Sequence, residues 1–351
     1  MGEIALLLLE KPGMRPMESR TICNVENGVN HWTVPLQRSL PSSLKGYQAG
    51  LASGDIQQAA YNIMLRSFSL WYCSRPLDDV LYEMNVNKDV CAMLREERAR
   101  LGILPYLQAV INLQGVSSKP WKLSGEEMIF EELHELCIKT KNHVLLAYLI
   151  LTQLELFVIF QDWVSAKRLL MKAVDLRPAL IASFQSVRYT FLEGLICLKA
   201  AQASSSWMEK RKLKTKAKKS LKMLHGWLKK GNINVVHTVH LLTAEHAVLN
   251  GQHIQQAEGS YKAALASATR SGFLHDKALT HELAGNYYMD KGDDYWAKYH
   301  LNLAHTTYLD WKATAKAADL ARKYPQFIKD DIPHQRIRHS EILKKKTMHF
   351  Q

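Results

Sequence analysis

The stretch GNYYMDKGDDYWAKYHLNLA, residues 285–304, decides the fold. In it Gly285, Tyr288, Gly292, Ala297, Leu301 and Ala304 follow at intervals of 3, 4, 5, 4 and 3. Intervals of three and four put side chains on one face of a helix, so the stretch reads as two helices joined at Gly292. Small residues at 285, 297 and 304 let the two helices approach closely, and Tyr288 and Leu301 fill the gap between them. Lys291-Gly292-Asp293 ends the first helix with a residue that tolerates positive φ.

Part of the pattern recurs upstream. Ala257, Tyr261 and Ala264 repeat the 4, 3 spacing after Gly251, and Ala166, Leu170 and Ala173 repeat it after Asp162-Trp163. The copies start at 166, 257 and 297, intervals of 91 and 40 rather than a regular 34. Degenerate tetratricopeptide-like hairpins have this character. The fold expected is therefore an all-α superhelix without a sheet, whose concave side offers a groove to a partner peptide.

Three segments are expected: a poorly ordered leader over 1–43, a helical repeat domain over 44–325, and a basic tail over 326–351. Prolines at 12, 16, 35 and 41 mark the leader. Gly46, Gly50 and Gly54-Asp55 punctuate a short helix and turn. Pro76 starts a long helix continuing through Arg100 to Leu113. Ser124 with Glu127 has the spacing of a capping box for the helix that follows. Leu145–Phe160 is apolar on nearly every side, as a helix buried between neighbours must be, and Gln153 and Glu155 interrupt it.

The formal charge is +13 over 351 residues. The excess lies in Lys210–Lys230 and the last sixteen residues. Lys210–Lys230 predicts a helix with Leu213, Ala217, Leu221, Leu224 and Leu228 on one face. That face serves packing in a repeat array; alternatively the helix suits an acidic protein, nucleic acid or an anionic membrane. The cysteines, at 23, 73, 91, 137 and 197, are scattered and odd in number, which argues against a disulfide framework and for a reducing compartment. No run approaches the ~18 apolar residues of a membrane span, so a cytoplasmic location is expected.

No phosphate-binding loop, nucleophile elbow or zinc-protease signature occurs. The chain is expected to be no enzyme, to need no cofactor or small-molecule substrate, and neither to bind nor to hydrolyse ATP. His237, His240, Glu245 and His246 share a predicted helix and offer ligand types for zinc, against the simpler reading of packing and surface histidines. Glu126-Glu127 and Glu131-Glu132 read as a solvated helix face. No residue carries a catalytic or metal-binding assignment.

Read as phrases, Gly272-Phe-Leu-His-Asp276, Glu282-Leu-Ala-Gly285, Tyr287-Tyr288, Gly292, Ala297 and Tyr308–Trp311 resemble a segment of very large signalling proteins. Ala315-Lys316, Leu320 and Tyr324-Pro325 continue the likeness. His31-Trp32, Gly46-Tyr47, Gly50-Leu51, Gly54-Asp55, Ala60-Tyr61 and Arg75-Pro76-Leu77 resemble its start. Those proteins join a serine/threonine kinase-like domain, an AAA-type ATPase, this helical region, a GAF domain and a histidine kinase. The resemblance implies a scaffold between a nucleotide switch and an output domain, with kinase or ATPase modules as partners in cis or in trans. Lys312 stands where that family usually has glycine, and a lysine at positive φ costs about 1 kcal/mol. The alternative is a module using Lys210–Lys230 and the basic tail to bind nucleic acid, which no aromatic-interleaved surface favours, or an anionic membrane.

Overall fold

The computed structural model describes residues 2–11, 13–115, 117–251 and 254–328. Among them every regular element is helical. The chain runs through α1 (Gly2–Leu8), α2 (Glu18–Gly28), α3 (Ser39–Ser53), α4 (Ile56–Tyr72), α5 (Leu77–Met93), α6 (Glu97–Leu113), α7 (Phe130–Lys139) and α8 (His143–Ile159). It continues through α9 (Trp163–Lys172), α10 (Phe184–Ala203), α11 (Trp207–Lys229), α12 (Val236–Leu249), α13 (Ile254–Ser271), α14 (Leu274–Asp290), α15 (Asp294–Asp310) and α16 (Thr314–Lys323). These helices pack as sequential antiparallel pairs, as an all-α chain of hairpins requires.

One turn geometry makes the pairs. A residue at positive φ ends a helix, and the next residue donates its backbone N–H to the carbonyl five positions earlier. Glu96 to Cys91, Asn142 to Cys137, Asp162 to Phe157, Asp293 to Tyr288 and Ala313 to Tyr308 all do this. This Schellman closure satisfies carbonyls that the helix end leaves free. Asp55, Asn142, Asp162 and Asp293 then cap the following helix, each side chain accepting the N–H three residues on. A few residues thus stop one helix and start the next.

Positive φ recurs at 54, 74, 95 and 115, then at 141, 161 and 182, then at 231, 251, 272, 292 and 312. Within each run the interval is 20 or 21. Two such intervals make one hairpin, which matches the 40 residues separating the copies at 257 and 297. Half of these positions are not glycine: Ser74, Arg95, Lys141, Gln161, Ala182 and Lys312 adopt the same backbone with a side chain. Lys312 sits at φ 68°, the strained conformation considered above.

Four expectations change. Residues 1–43 carry α1, α2 and the start of α3, with Ile22, Val25, Leu36 and Leu40 buried. Apolar residues spaced for burial outweighed the prolines, and the boundary at 43/44 falls inside α3. Gly46 and Gly50 do not punctuate. They lie within α3, where a Cβ on Gly46 would collide with the Asn62 side chain and one on Gly50 would stand 2.8 Å from Ala59 Cβ. The helix expected from Pro76 to Leu113 is a hairpin, α5 and α6, turned at Arg95 (φ 58°). Ser124 and Glu127 form no capping box: Ser124 Oγ accepts the Phe130 N–H, and Glu127 donates its own N–H to Gln108 and pairs with Lys88. Of the expected tail, residues 329–351 lie outside those described.

The array closes on itself. α16 lies against α6, the Leu77 N–H donates to the Trp311 carbonyl at 2.9 Å, and Thr314 Oγ1 donates to the Gln114 carbonyl at 2.9 Å. The Asn234 amide donates to the His31 and Val34 carbonyls and accepts the Leu36 N–H. A single hydrophobic core runs from Cys23 to Ile328.

Candidate functional site

Charge enters this core through first helices of successive pairs. Glu155 on α8, Glu193 on α10, Glu245 on α12 and Glu282 on α14 are all buried. A buried carboxylate needs a cation and hydrogen bonds, and each has them. Glu282 accepts from Lys316 Nζ at 2.7 Å and from the Tyr308 hydroxyl at 3.0 Å. Glu245 accepts from the Tyr261 hydroxyl at 2.8 Å and pairs with Lys199 at 2.6 Å. Glu193 accepts from Ser220 Oγ at 2.7 Å and pairs with Arg177 and with Lys216.

Arg188 on α10 joins two of these layers. Its Nε and Nη2 donate to both oxygens of Glu155 at 3.1 and 3.0 Å, and its Nη1 donates to Asp276 on α14 at 2.7 Å. His237 Nε2 lies 2.7 Å from the same Asp276 oxygen, and His275, bonded to Ser74, stands beside it. Burial alone would push Asp276 up, but Arg188, His275 and His237 together outweigh it and hold the carboxyl well below the usual range. Burial keeps Glu155 above the usual range against the pull of Arg188. Burial also pushes His275 down to about 3. This cluster is enclosed, and it ties α8, α10, α12 and α14 to the turn after α4.

The repeat residues read from the sequence occupy packing positions. Ala166 and Leu170 are buried on α9, while Ala173, just past its end, is half-buried. Ala257, Tyr261 and Ala264 line the buried face of α13, and Ala297, Leu301 and Ala304 that of α15. On α14, Tyr288 is buried, and a Cβ on Gly285 would stand 2.7 Å from Leu301 Cγ. Gly292 takes φ 74° in the turn. The histidines and the glutamate on α12 do not converge: His237 turns to Asp276, Glu245 to Tyr261, and His246 to Asn250. Among the described residues no group of three or more His, Cys, Asp and Glu side chains is placed to hold a metal. All five cysteines are free and buried; burial pushes the thiols of Cys23, Cys73, Cys91 and Cys197 up to about 12. They are poor nucleophiles there.

A cleft of about 830 Å³ opens between α11, α10 and the connection from α9 to α10. α11 carries nine Lys and Arg side chains and one carboxylate, Glu209. Its Leu213, Ala217 and Leu224 are buried against the array, so the apolar face is consumed in packing and the lysine face turns outward. At the cleft floor Arg177 and Lys216 are neutralised by Glu193, and Arg177 lies 5.0 Å from the Tyr189 ring. At the rim Lys212 and Lys219 are exposed and make no ion pair among the described residues. Trp207 and Met208, at the start of α11, are 69 and 68% exposed. Across from them, Lys167 on α9 reaches Glu209, and Val164 and Met171 flank it on the same exposed helix face.

Sequence reasoning found α11 but missed the cleft, whose other wall comes from the irregular chain between α9 and α10. It also missed the buried glutamates. Glu155 was the available signal, because a charge inside an otherwise apolar helix demands a partner. Several residues that carry the resemblance, Asp276, Glu282, Tyr308 and Lys316, are members of the buried networks. Among the described residues no helix is long and apolar enough to cross a membrane. No family model, curated protein or solved structure matches the chain.

Proposed function

We propose that this chain is a tetratricopeptide-like helical-repeat scaffold that binds another protein without catalysing a reaction. The cleft beside α11 carries the reading: there Lys212 and Lys219, without an ion pair among the described residues, lie next to exposed large apolar side chains. The buried carboxylates Glu155, Glu193, Glu245, Asp276 and Glu282 are engaged in ion pairs that hold neighbouring helices together, a structural use. Exposed apolar surface rimmed by charge marks protein interaction sites. The resemblance to the helical region of kinase- and ATPase-containing signalling proteins makes such modules the first partners to try, in cis or in trans.

Photo-crosslinking tests this reading. A photoreactive residue in place of Trp207 should capture a discrete protein in native extract, and the same probe in place of the exposed Lys298 on α15 should not. Equal capture at both positions, or none at 207, would remove the cleft as an interaction site.

A second reading is favoured by the eight α11 cations that make no ion pair among the described residues: a polyanion, nucleic acid or an anionic membrane, lies along the helix. Phosphate binding of that kind weakens steeply between low and physiological salt, whereas a seated apolar contact does not.

A further inference from the structure

Resting on the scaffold reading, we propose that the cleft between α11 and the α9–α10 connection receives an acidic amphipathic helix of a partner protein, anchored by apolar side chains at both ends. Three features of the cleft specify that chemistry. Among the α11 residues that line the cleft, Met208, Lys212, Lys216, Lys219 and Met223 form one row, with Trp207, Arg211 and Thr215 beside it. Steps of three and four residues place them about one helical turn, ~5.4 Å, apart. Carboxylates at i and i+7 of a docked helix repeat with the same rise, so two helices lying side by side bring them into register with Lys212 and Lys219. Secondly, the cationic row is apolar at its ends, with Trp207 and Met208 at one and Met223 at the other. The sixteen residues from Met208 to Met223 span about 22 Å, which sets the ligand at roughly four to five turns. Thirdly, the charges are layered. Glu193 satisfies the inner cations Arg177 and Lys216, and the rim cations Lys212 and Lys219 have no partner among the described residues. A ligand therefore needs its carboxylates at the rim and an apolar surface toward Tyr189 and the methionines.

Charge selects among occupants. With a formal charge of +13, a second copy of this chain would bring like charge to a basic cleft. Residues 329–351, with six Lys and Arg against three Asp and Glu, would do the same. A nucleic-acid strand meets the rim lysines, but it puts phosphates near the floor carboxylates Asp175 and Glu193 and leaves the terminal apolar side chains uncovered. An acidic helix with apolar ends meets all three features.

The test uses the full chain and a fluorescein-labelled synthetic peptide of about 18 residues. It carries glutamates at i and i+7 on one face and leucines at both ends of that face. A shuffled peptide of identical composition, a duplex DNA of similar length and phosphatidylserine vesicles serve as competitors. At physiological salt, fluorescence anisotropy should show saturable binding at least about ten-fold tighter for the patterned peptide than for the shuffled one, with the DNA and the vesicles weaker competitors than the unlabelled patterned peptide. Lys212→Glu with Lys219→Glu should weaken it about ten-fold or more, and Trp207→Ala several-fold, with circular dichroism unchanged because all three side chains are exposed. Lys298→Glu on α15 should leave binding unaltered. Equal binding of the shuffled peptide, tighter binding of DNA or vesicles, absence of binding, or indifference to the α11 substitutions would each overturn the proposal. If crosslinking from position 207 still captures a protein while the patterned peptide fails, the scaffold reading stands and only the partner chemistry falls.

Discussion

Replacing Arg188 with methionine removes the cation that lies between Glu155 and Asp276. Both carboxylates have side chains no more than 2% exposed, and three hydrogen bonds from the guanidinium disappear together. Methionine fills most of the vacated volume, so the cavity contribution is small and uncompensated charge dominates. Breaking a buried pair in this way costs about 3–5 kcal/mol. Proton uptake sets the ceiling, since raising a carboxylate pKa from near 4 to 7 corresponds to about 4 kcal/mol. The pH dependence follows. In the variant the folded carboxylates lose Arg188 and bind protons more readily than the unfolded chain does, so the variant gains relative stability as pH falls. In the parent Asp276 is depressed, and its contribution, full above its unfolded pKa, is lost as pH falls toward the depressed value. The first effect narrows the gap on acidification, by about 2–3 kcal/mol between pH 7 and 5, and the second adds to it only below about pH 4. Urea unfolding followed by tryptophan fluorescence and far-UV dichroism measures this, provided the two probes coincide. Adding Glu155→Leu and Asp276→Leu should return most of the loss. A loss under about 1 kcal/mol at pH 7, or a deficit that does not shrink by pH 5, would refute the reasoning.

Ala297→Leu forces a larger side chain into the fully buried interface of α14 and α15 and should cost about 1–3 kcal/mol, whereas Lys298→Leu on the exposed face should cost little; equal melting temperatures would contradict this. Lys312→Gly relieves a side chain held at φ 68° and should stabilise by about 1 kcal/mol, read as a rise in the urea midpoint. Burial pushes His31 down to about 4, so below its ordinary value the unfolded chain takes up the proton first and stability falls with pH; His31→Phe should remove about 2 kcal/mol of the loss between pH 7 and 5, seen as a flatter stability profile.

The hairpin period illustrates how far a sequence can be read. Gly292 and Gly251 announce their turns, but Arg95, Lys141 and Gln161 take the same positive φ with residues that ordinarily continue a helix. Glycine is cheap there but not obligatory: a closed Schellman turn and a capped next helix outweigh about 1 kcal/mol of strain. That is why the α5–α6 hairpin reads as one helix in the sequence. Gly46 and Gly50 mislead in the opposite sense, since they serve close approach within a helix and not a turn.

What the sequence determined by itself is local. Side-chain spacing of three and four, the Asp and Asn caps, and small residues on second helices suffice for an all-α chain of hairpins, because they act within a few residues of one another. Tertiary structure decided the rest. Arg188 meets Asp276 across 88 positions, and Leu77 meets Trp311 where the array closes. No local pattern encodes those pairings, because a buried charge demands only some partner and the stacking of helices chooses which. The same stacking buried the apolar face of α11 and left its lysines facing outward beside a cleft.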